Sequence, residues 1–197
     1  MFLRGRDLVS RAQAPVLTGQ TPERVLMTRD DLKLQGLHNV ENVLAAAAAG
    51  LACGVAPESL RETVRNFRPV EHRLEEVAEI DGVRFYNDSK ATSVDATIKA
   101  LEAFAEDTGK IILILGGLGK KAPYAPLEEL VKGRVRRMIL IGEDAPTIEN
   151  ELGDAAPFEH ARTMANAVQR GFAAAQAGDI VLLAPAWKTC GNASPTL

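Results

Sequence analysis

The sequence predicts an α/β fold: a Rossmann-like open sheet, mainly parallel, with flanking helices, preceded by a shorter piece of different character. Three observations carry this. After Pro69, strand-like and helix-like segments alternate four times, as repeated βαβ units do. Two strand-like runs, "KIILILGG" and "GDIVLLAP", are continuously apolar, as strands covered on both faces must be. Hydrophobic residues make up 46% of the 197, enough to bury a core, and the length allows one good-sized domain or one domain plus part of another.

Residues 1–35 are mixed. "FLRGRDLV" and "ERVLMT" read as short strands around the turn-rich "QAPVLTGQTPE", too little to build a domain. "NVENVLAAAAAGLACG" reads as a helix, favoured by its alanines and stopped by Gly54. "APESLRETVRNF" reads as a second, with Pro57 near its first turn and Leu60, Val64 and Phe67 on one stripe. These helices expect a sheet that the chain does not supply. Residues 1–69 are therefore expected to pack on the domain formed by residues 70–197, to pair with another copy, or to be mobile. Pro69 makes a joint.

"RLEEVAEI" and "VRFYND" flank Asp81-Gly82, a hairpin turn. Ser93 to Phe104 reads as a helix opened by a capping box of Thr92 with Asp95. Then come strand "KIILILGG", helix "APLEELVKG", strand "RRMILIG", helix "DAPTIENEL", weak strand "FEHA", helix "TMANAVQRGFAAAQ" and strand "GDIVLLAP".

Composition narrows the partners. The net charge of −3 and pI near 5.7 speak against nucleic acid or an anionic membrane. No apolar run approaches the ~20 residues of a membrane span, and "MFLRGRDLVS" lacks the apolar stretch of a secretory signal. Cys53 and Cys190 lie far apart without a CxxC, which fits a reduced cytoplasm, and His38, His72 and His160 have no metal-ligand spacing.

In open α/β sheets, ligands bind beyond the carboxyl ends of strands. Three loops qualify: "NDSKAT" after Phe85-Tyr86, "GGLGKK" after "IILIL", and "APAWKT" after "IVLL". Lysines and hydroxyls gathered at one edge point to an anionic ligand. In the first loop, Asp88 suits a ribose hydroxyl pair and Lys90 a phosphate; the plain alternative is a local Asx or Ser turn. Gly116 and Gly117 let backbone N–H groups approach an anion, although GxxxxGK[ST] is absent and the loop can be only a turn. Asn39 and Asn42 lie three apart at a helix start and suit an adenine edge, unless Asn39 merely caps the helix. Arg73 can offer paired donors to a phosphate, or can pair with Glu71 or Glu75.

Together, His38-Asn39-Val40-Glu41-Asn42, His72-Arg73-Leu74-Glu75, Asn87-Asp88-Ser89-Lys90-Ala91-Thr92 and Gly116-Gly117 with Lys120 resemble the Mur ligases, in order, from about residue 30 to residue 186. The "NDSKAT" turn is similar to that of the members that add D-glutamate. The resemblance implies that residues 1–69 are the last part of a central ATPase domain, and that 70–197 are the C-terminal, amino-acid-binding domain. It implies a ligase that uses ATP and Mg2+ to join D-glutamate to UDP-N-acetylmuramoyl-L-alanine through an acyl phosphate, as a monomer in the bacterial cytoplasm. Asn39 and Asn42 would hold adenine and Asp88 the ribose. Arg73 and Lys90 would be the catalytic contacts to the nucleotide and its phosphates, and Thr92, Lys120 and Thr189 would receive D-glutamate.

Two departures accompany the resemblance. The family's P-loop, magnesium ligands and modified lysine have no counterpart here, so the chain by itself is expected to be inactive. At the end, "APAWKTCGNASPTL" stands where the family has Ser-Pro-Ala, a serine, an aspartate and a phenylalanine, and Ser93 replaces the asparagine common after "KAT". The alternatives are a stand-alone nucleotide-binding module and a related amide ligase such as a folate polyglutamylating enzyme.

Overall fold

The computed structural model describes residues 1–11, 23–68, 70–105, 107–117 and 123–186. By internal contacts the chain divides into two compact units, Met1–Pro69 and Val70–Leu197.

The first unit contains a sheet of its own. β1 (Phe2–Arg4), β2 (Asp7–Arg11) and β3 (Glu23–Thr28) form an antiparallel three-stranded sheet. "FLRGRDLV" is thus two strands folded back at Gly5-Arg6, with Phe2 opposite Val9. Leu8, Leu26 and Met27 from this sheet meet Val40 of α1 (Leu37–Ala52) in a small core. Val43, Leu44 and Leu51 of α1 and Leu60 and Val64 of α2 (Pro57–Asn66) pack against it. The expectation that these helices find no sheet is therefore corrected: Leu60 and Val64 are covered from within the unit. Phe67, at 46% exposure, is not. Arg61 Nε donates to Leu26 O at 2.8 Å and Arg65 Nε to Asp31 Oδ1 at 2.7 Å, tying α2 to β3 and the turn after it.

The second unit is a six-stranded sheet ordered β4-β5-β9-β6-β7-β8. β4 (Glu75–Ile80) is antiparallel to β5 (Val83–Asn87); β6 (Ile111–Leu115), β7 (Val135–Ile141), β8 (Phe158–Ala161) and β9 (Ile180–Leu183) run parallel to β5. Asp81 and Gly82 join β4 to β5 with φ of +52° and +76°, the left-handed pair that a tight hairpin requires.

The helices are α3 (Val94–Glu102), α4 (Glu128–Arg134), α5 (Ala145–Leu152) and α6 (Met164–Ala174). Central β6 explains its own sequence. Ile111, Leu113 and Leu115 face a core with Leu101 of α3, Val131 of α4 and Ile148 of α5, while Ile112 and Ile114 face a second core with Ala167 of α6. With both faces covered, alternation has no use. Each such side chain contributes about 1.5–3 kcal/mol by burial.

The capping box expected of Thr92 with Asp95 does not form. Ser93 is the N-cap of α3, and its hydroxyl accepts the Ala96 N–H at 3.2 Å. Since asparagine and serine cap equally well, Ser93 keeps the function an asparagine would have there.

The amino-terminal edge of the sheet holds a buried charge. Asp179, 2% exposed, accepts from Lys110 N and Gln176 N, both at 2.9 Å, and from Arg136 Nε at 2.7 Å and Nη2 at 3.2 Å. Burial pushes its carboxyl up, but Arg136 and the two backbone donors outweigh that and hold it below the usual carboxylate range.

Candidate functional site

The strand order makes β5, β9 and β6 neighbours, so their three exit loops lie side by side at the carboxyl edge. Cross-links join them. Asp88 N–H donates to Leu183 O at 2.8 Å, Ala186 N–H to Ala91 O at 2.9 Å, and Gly116 N–H to Pro185 O at 3.1 Å. The buried Thr97 hydroxyl, on α3, donates to Ala184 O at 3.2 Å. The loops are thus a connected rim rather than three separate turns.

Residues 70–74, which lead into β4, are laid along the first loop. Lys90 N–H donates to His72 O at 3.2 Å, and Leu74 N–H to Asp88 Oδ1 at 3.3 Å. Asn87 Oδ1 accepts Ser89 N–H at 3.0 Å, so the local Asx turn is present, and Asn87 Nδ2 meets His72 Nδ1 at 2.9 Å. The Asx turn and a ligand role do not compete here: the turn uses Asn87 and leaves Asp88 and Lys90 for other partners.

Asp88 is buried at 9% exposure, yet among the described residues its only side-chain hydrogen bond is the long one from Leu74. Burial pushes its carboxyl above the usual range; the Leu74 N–H and the nearby Arg73 charge offset this in part. Arg73 and Lys90 are both exposed. Among the described residues, neither side chain forms an ion pair; Glu75 instead accepts the His72 N–H at 2.9 Å. The pairing of Arg73 with Glu71 or Glu75, weighed from sequence, is therefore not formed. A buried acceptor with an open oxygen beside the uncommitted Arg73, on a turn that also carries the exposed Lys90, can take a ligand that carries both hydroxyls and negative charge. Thr92, half-buried, follows on the same loop.

At the second loop, the glycines have a packing reason. Gly116 has φ of +114°, and a Cβ there would lie 2.3 Å from Ile141 O. A Cβ on Gly142, in the exit of β7, would lie 2.6 Å from Gly117 Cα. Asp144 holds this junction: its N–H donates to Gly117 O at 3.0 Å and its carboxylate accepts from Tyr124 OH at 2.5 Å. Sequence reading missed Asp144 and Tyr124, whereas the Asx turn that it weighed at 87–89 is formed by Asn87. Lys120 and Thr189, assigned to D-glutamate by resemblance, lie outside the described residues.

In the first unit, Asn39 and Asn42 share one face of α1, and Asn42 Nδ2 reaches Asn39 Oδ1 at 3.4 Å. Asn39 is not the cap: Gly36 is the N-cap, and Asn39 Nδ2 donates back to Gln35 O at 2.7 Å. The capping explanation fails because α1 starts three residues earlier than a cap at Asn39 requires. No group of three or more His, Cys, Asp or Glu that could hold a metal ion occurs among the described residues, nor does a helix long and apolar enough to cross a membrane.

Known proteins share this sequence and fold. Residues 72–187 match the family described as Mur ligase, glutamate ligase domain. The UDP-N-acetylmuramoylalanine--D-glutamate ligase of Koribacter versatilis (strain Ellin345) is 50% identical over 164 residues, 83% of this chain and 35% of that protein. The ligase of the same name from Acidobacterium capsulatum is 52% identical over 161 residues, 82% of this chain and 34% of that protein. The chain thus spans about a third of the length of the curated relatives it matches. Among solved structures, MurF from Acinetobacter baumannii superposes with a TM-score of 0.63 at 20% identity, covering 77% of this chain and 35% of that one. UDP-N-acetylmuramate-alanine ligase MurC from Thermotoga maritima gives 0.61, also at 20% identity, over 80% of this chain and 36% of that one. These distant likenesses bear on the fold, whereas the sequence match runs through Arg73 and the turn that carries Asp88 and Lys90, and on that match the chain belongs to the Mur ligase family.

Proposed function

We propose that this chain is the C-terminal part of an ATP-dependent carbon–nitrogen ligase that joins D-glutamate to UDP-N-acetylmuramoyl-L-alanine in the bacterial cytoplasm, a step of peptidoglycan synthesis. The observation that carries the nucleotide half is the buried, under-bonded Asp88 beside the uncommitted Arg73, with the exposed Lys90 on the same turn. Support for the acceptor comes from relatives about 50% identical that are D-glutamate ligases by name. Residues 1–69 are read as the end of the central ATPase domain and 70–197 as the amino-acid-binding domain.

The residues present fit a nucleoside phosphate, and a MurF from Thermotoga maritima has been solved in complex with ADP. Asp88 accepts from the ribose hydroxyls; hydrogen bonds to a charged acceptor are worth about 1.5–3 kcal/mol. Arg73 and Lys90 meet the phosphates and neutralise charge where the phosphoryl group is transferred. Asn39 and Asn42 offer amides to adenine. Thr92, with Lys120 and Thr189, serves the D-glutamate carboxylates. ATP supplies the phosphoryl group that activates the substrate carboxylate as an acyl phosphate, with ADP leaving; the D-glutamate amine then attacks the acyl carbon and displaces phosphate. Mg2+ belongs to the family's reaction, but among the described residues no cluster of this chain fits it.

The test is ATP-dependent joining by the full-length gene product. Phosphate release is expected to require UDP-N-acetylmuramoyl-L-alanine and D-glutamate together. Equal turnover with L-alanine or diaminopimelate as acceptor overturns the assignment. The 197-residue chain alone is expected to show no turnover, because enzymatic rate enhancement takes at least ~8 kcal/mol and the remaining polar groups supply too little of it. Turnover by this chain overturns that reading.

A further inference from the structure

We infer that Asn87 and His72 form a positioning clasp that sets Arg73 and Asp88 relative to each other. The inference rests on reading the 87–92 turn as a nucleotide loop.

Residues 72–74 are strained. His72 has φ of +67° and Leu74 of +44°, left-handed conformations that are unfavourable for residues other than glycine. Such backbone persists only where its surroundings hold it. Locally, Glu75 Oε2 accepts the His72 N–H at 2.9 Å and Val70 O the Arg73 N–H at 3.1 Å; the rest of the holding comes from the 87–90 turn. His72 O accepts Lys90 N–H, Leu74 N–H reaches Asp88 Oδ1, and the His72 ring meets the Asn87 amide.

The Asn87 amide is divided between two partners. Its Oδ1 is taken by Ser89 N–H, so its nitrogen faces His72 Nδ1. An amide nitrogen only donates; His72 Nδ1 therefore accepts, and the ring proton sits on Nε2. One side chain thus shapes the turn that bears Asp88 and Lys90, through Ser89, and also fastens the strained turn that bears Arg73, through His72.

The consequence reaches Asp88. Its side-chain hydrogen bond comes from Leu74, a residue in the strained turn. Arg73 lies between His72 and Leu74, both pinned to the 87–90 turn, while its own side chain stays exposed. Releasing the clasp frees the turn to relax to ordinary backbone angles. The Leu74 donor then leaves Asp88, and Arg73 loses its fixed place beside the carboxylate. Neither Asn87 nor His72 needs to touch the ligand.

The test uses the 197-residue chain in five forms: wild type, Asn87→Ala, His72→Leu, His72→Asn and His72→Gly. Hydrogen exchange of the Leu74 and Lys90 amides reports the clasp, with Leu113 in β6 as the control for folding. ADP titration by calorimetry reports the site. Asn87→Ala and His72→Leu are expected to speed exchange at Leu74 and Lys90 and to weaken ADP binding about tenfold, the loss of one or two net hydrogen bonds, with Leu113 unchanged. His72→Asn restores both, because its Oδ1 supplies an acceptor near the former Nδ1 and asparagine tolerates the left-handed region. His72→Gly relieves the strain without an acceptor and is expected not to restore them. Wild-type exchange and affinity in His72→Leu, or full restoration by His72→Gly, overturns the clasp. A wild-type chain that takes up no ADP, together with a full-length gene product whose ADP affinity is unchanged by Asp88→Asn, overturns the nucleotide reading of the turn, and the exchange pattern still decides whether the clasp exists.

Discussion

Asp179 and Asp88 are buried carboxylates at opposite edges of one sheet, and they are treated in opposite ways. Asp179, at the amino edge, receives two backbone donors and two nitrogens of Arg136. Asp88, at the carboxyl edge, receives one donor at 3.3 Å and among the described residues has an oxygen to spare. Their carboxyls shift accordingly, Asp179 below the usual range and Asp88 above it. A fold that can surround one buried charge with donors has no physical bar to doing so for the other. The shortage at Asp88 falls at the edge where α/β sheets bind ligands, which is what the proposed ribose contact rests on.

The largest effect expected from this contrast is on stability. Asp179→Asn breaks a buried, multiply bonded pair and turns an amide donor toward backbone donors. It should cost about 3 kcal/mol in urea unfolding, at the lower end for buried pairs because Arg136 is partly exposed. A loss within ~0.5 kcal/mol would remove the structural half of the comparison. Next comes ligand binding. Asp88→Asn should weaken ADP binding by about 10- to 100-fold, the value of a charged hydrogen bond, while slightly raising stability by removing an under-solvated charge. Unchanged affinity together with lost stability would make Asp88 as structural as Asp179.

The pH dependence separates the two with opposite signs. A carboxyl lowered in the fold adds stability above its unfolded value, near ~3.9, and loses it as pH falls through the folded value. That is Asp179, so acid unfolding below pH ~4 should be blunted in Asp179→Asn. A carboxyl raised in the fold does the reverse: its charged form opposes folding at neutral pH, and the opposition is relieved as pH falls toward the raised value. Asp88→Asn should therefore flatten the stability profile just above the usual carboxylate range, by no more than about 1.4 kcal/mol per pH unit. Urea midpoints of the wild type and both variants from pH 3 to pH 7 check this. The smallest effect tests whether every residue near the ligand edge serves the ligand. Ser93→Ala should cost about 1 kcal/mol through loss of the α3 cap, and Ser93→Asn only a few tenths, with ADP affinity unchanged in both.

Much of this was legible before the structure, and what was legible was local. "IILIL" announces a strand covered twice, because a face exposed to water would need polar residues. Asp81-Gly82 announces a hairpin, because few other pairs accept two left-handed residues in a row. The polar turn at 86–93 could be singled out by its place between a strand and a helix. The errors were also local in origin. Thr92 and Ser93 are both good caps, and only the backbone path chooses between them. The pairing of β1, β2 and β3 was underestimated, because short strands gain stability only from partners that a linear reading does not supply.

The sequence by itself determined the alternation of strands and helices, the buried centre of the sheet and the polar character of the exit loops, since periodicity and turn chemistry depend on neighbours a few residues away. Tertiary structure alone decided that β9 returns between β5 and β6, which sets three distant loops edge to edge. It alone decided that Asp179 is fully bonded and Asp88 is not, and that His72 and Leu74 are bent into left-handed turns against Asn87 and Asp88. Each of these depends on donors and acceptors far apart in the chain, and their partners exist only once the chain has folded.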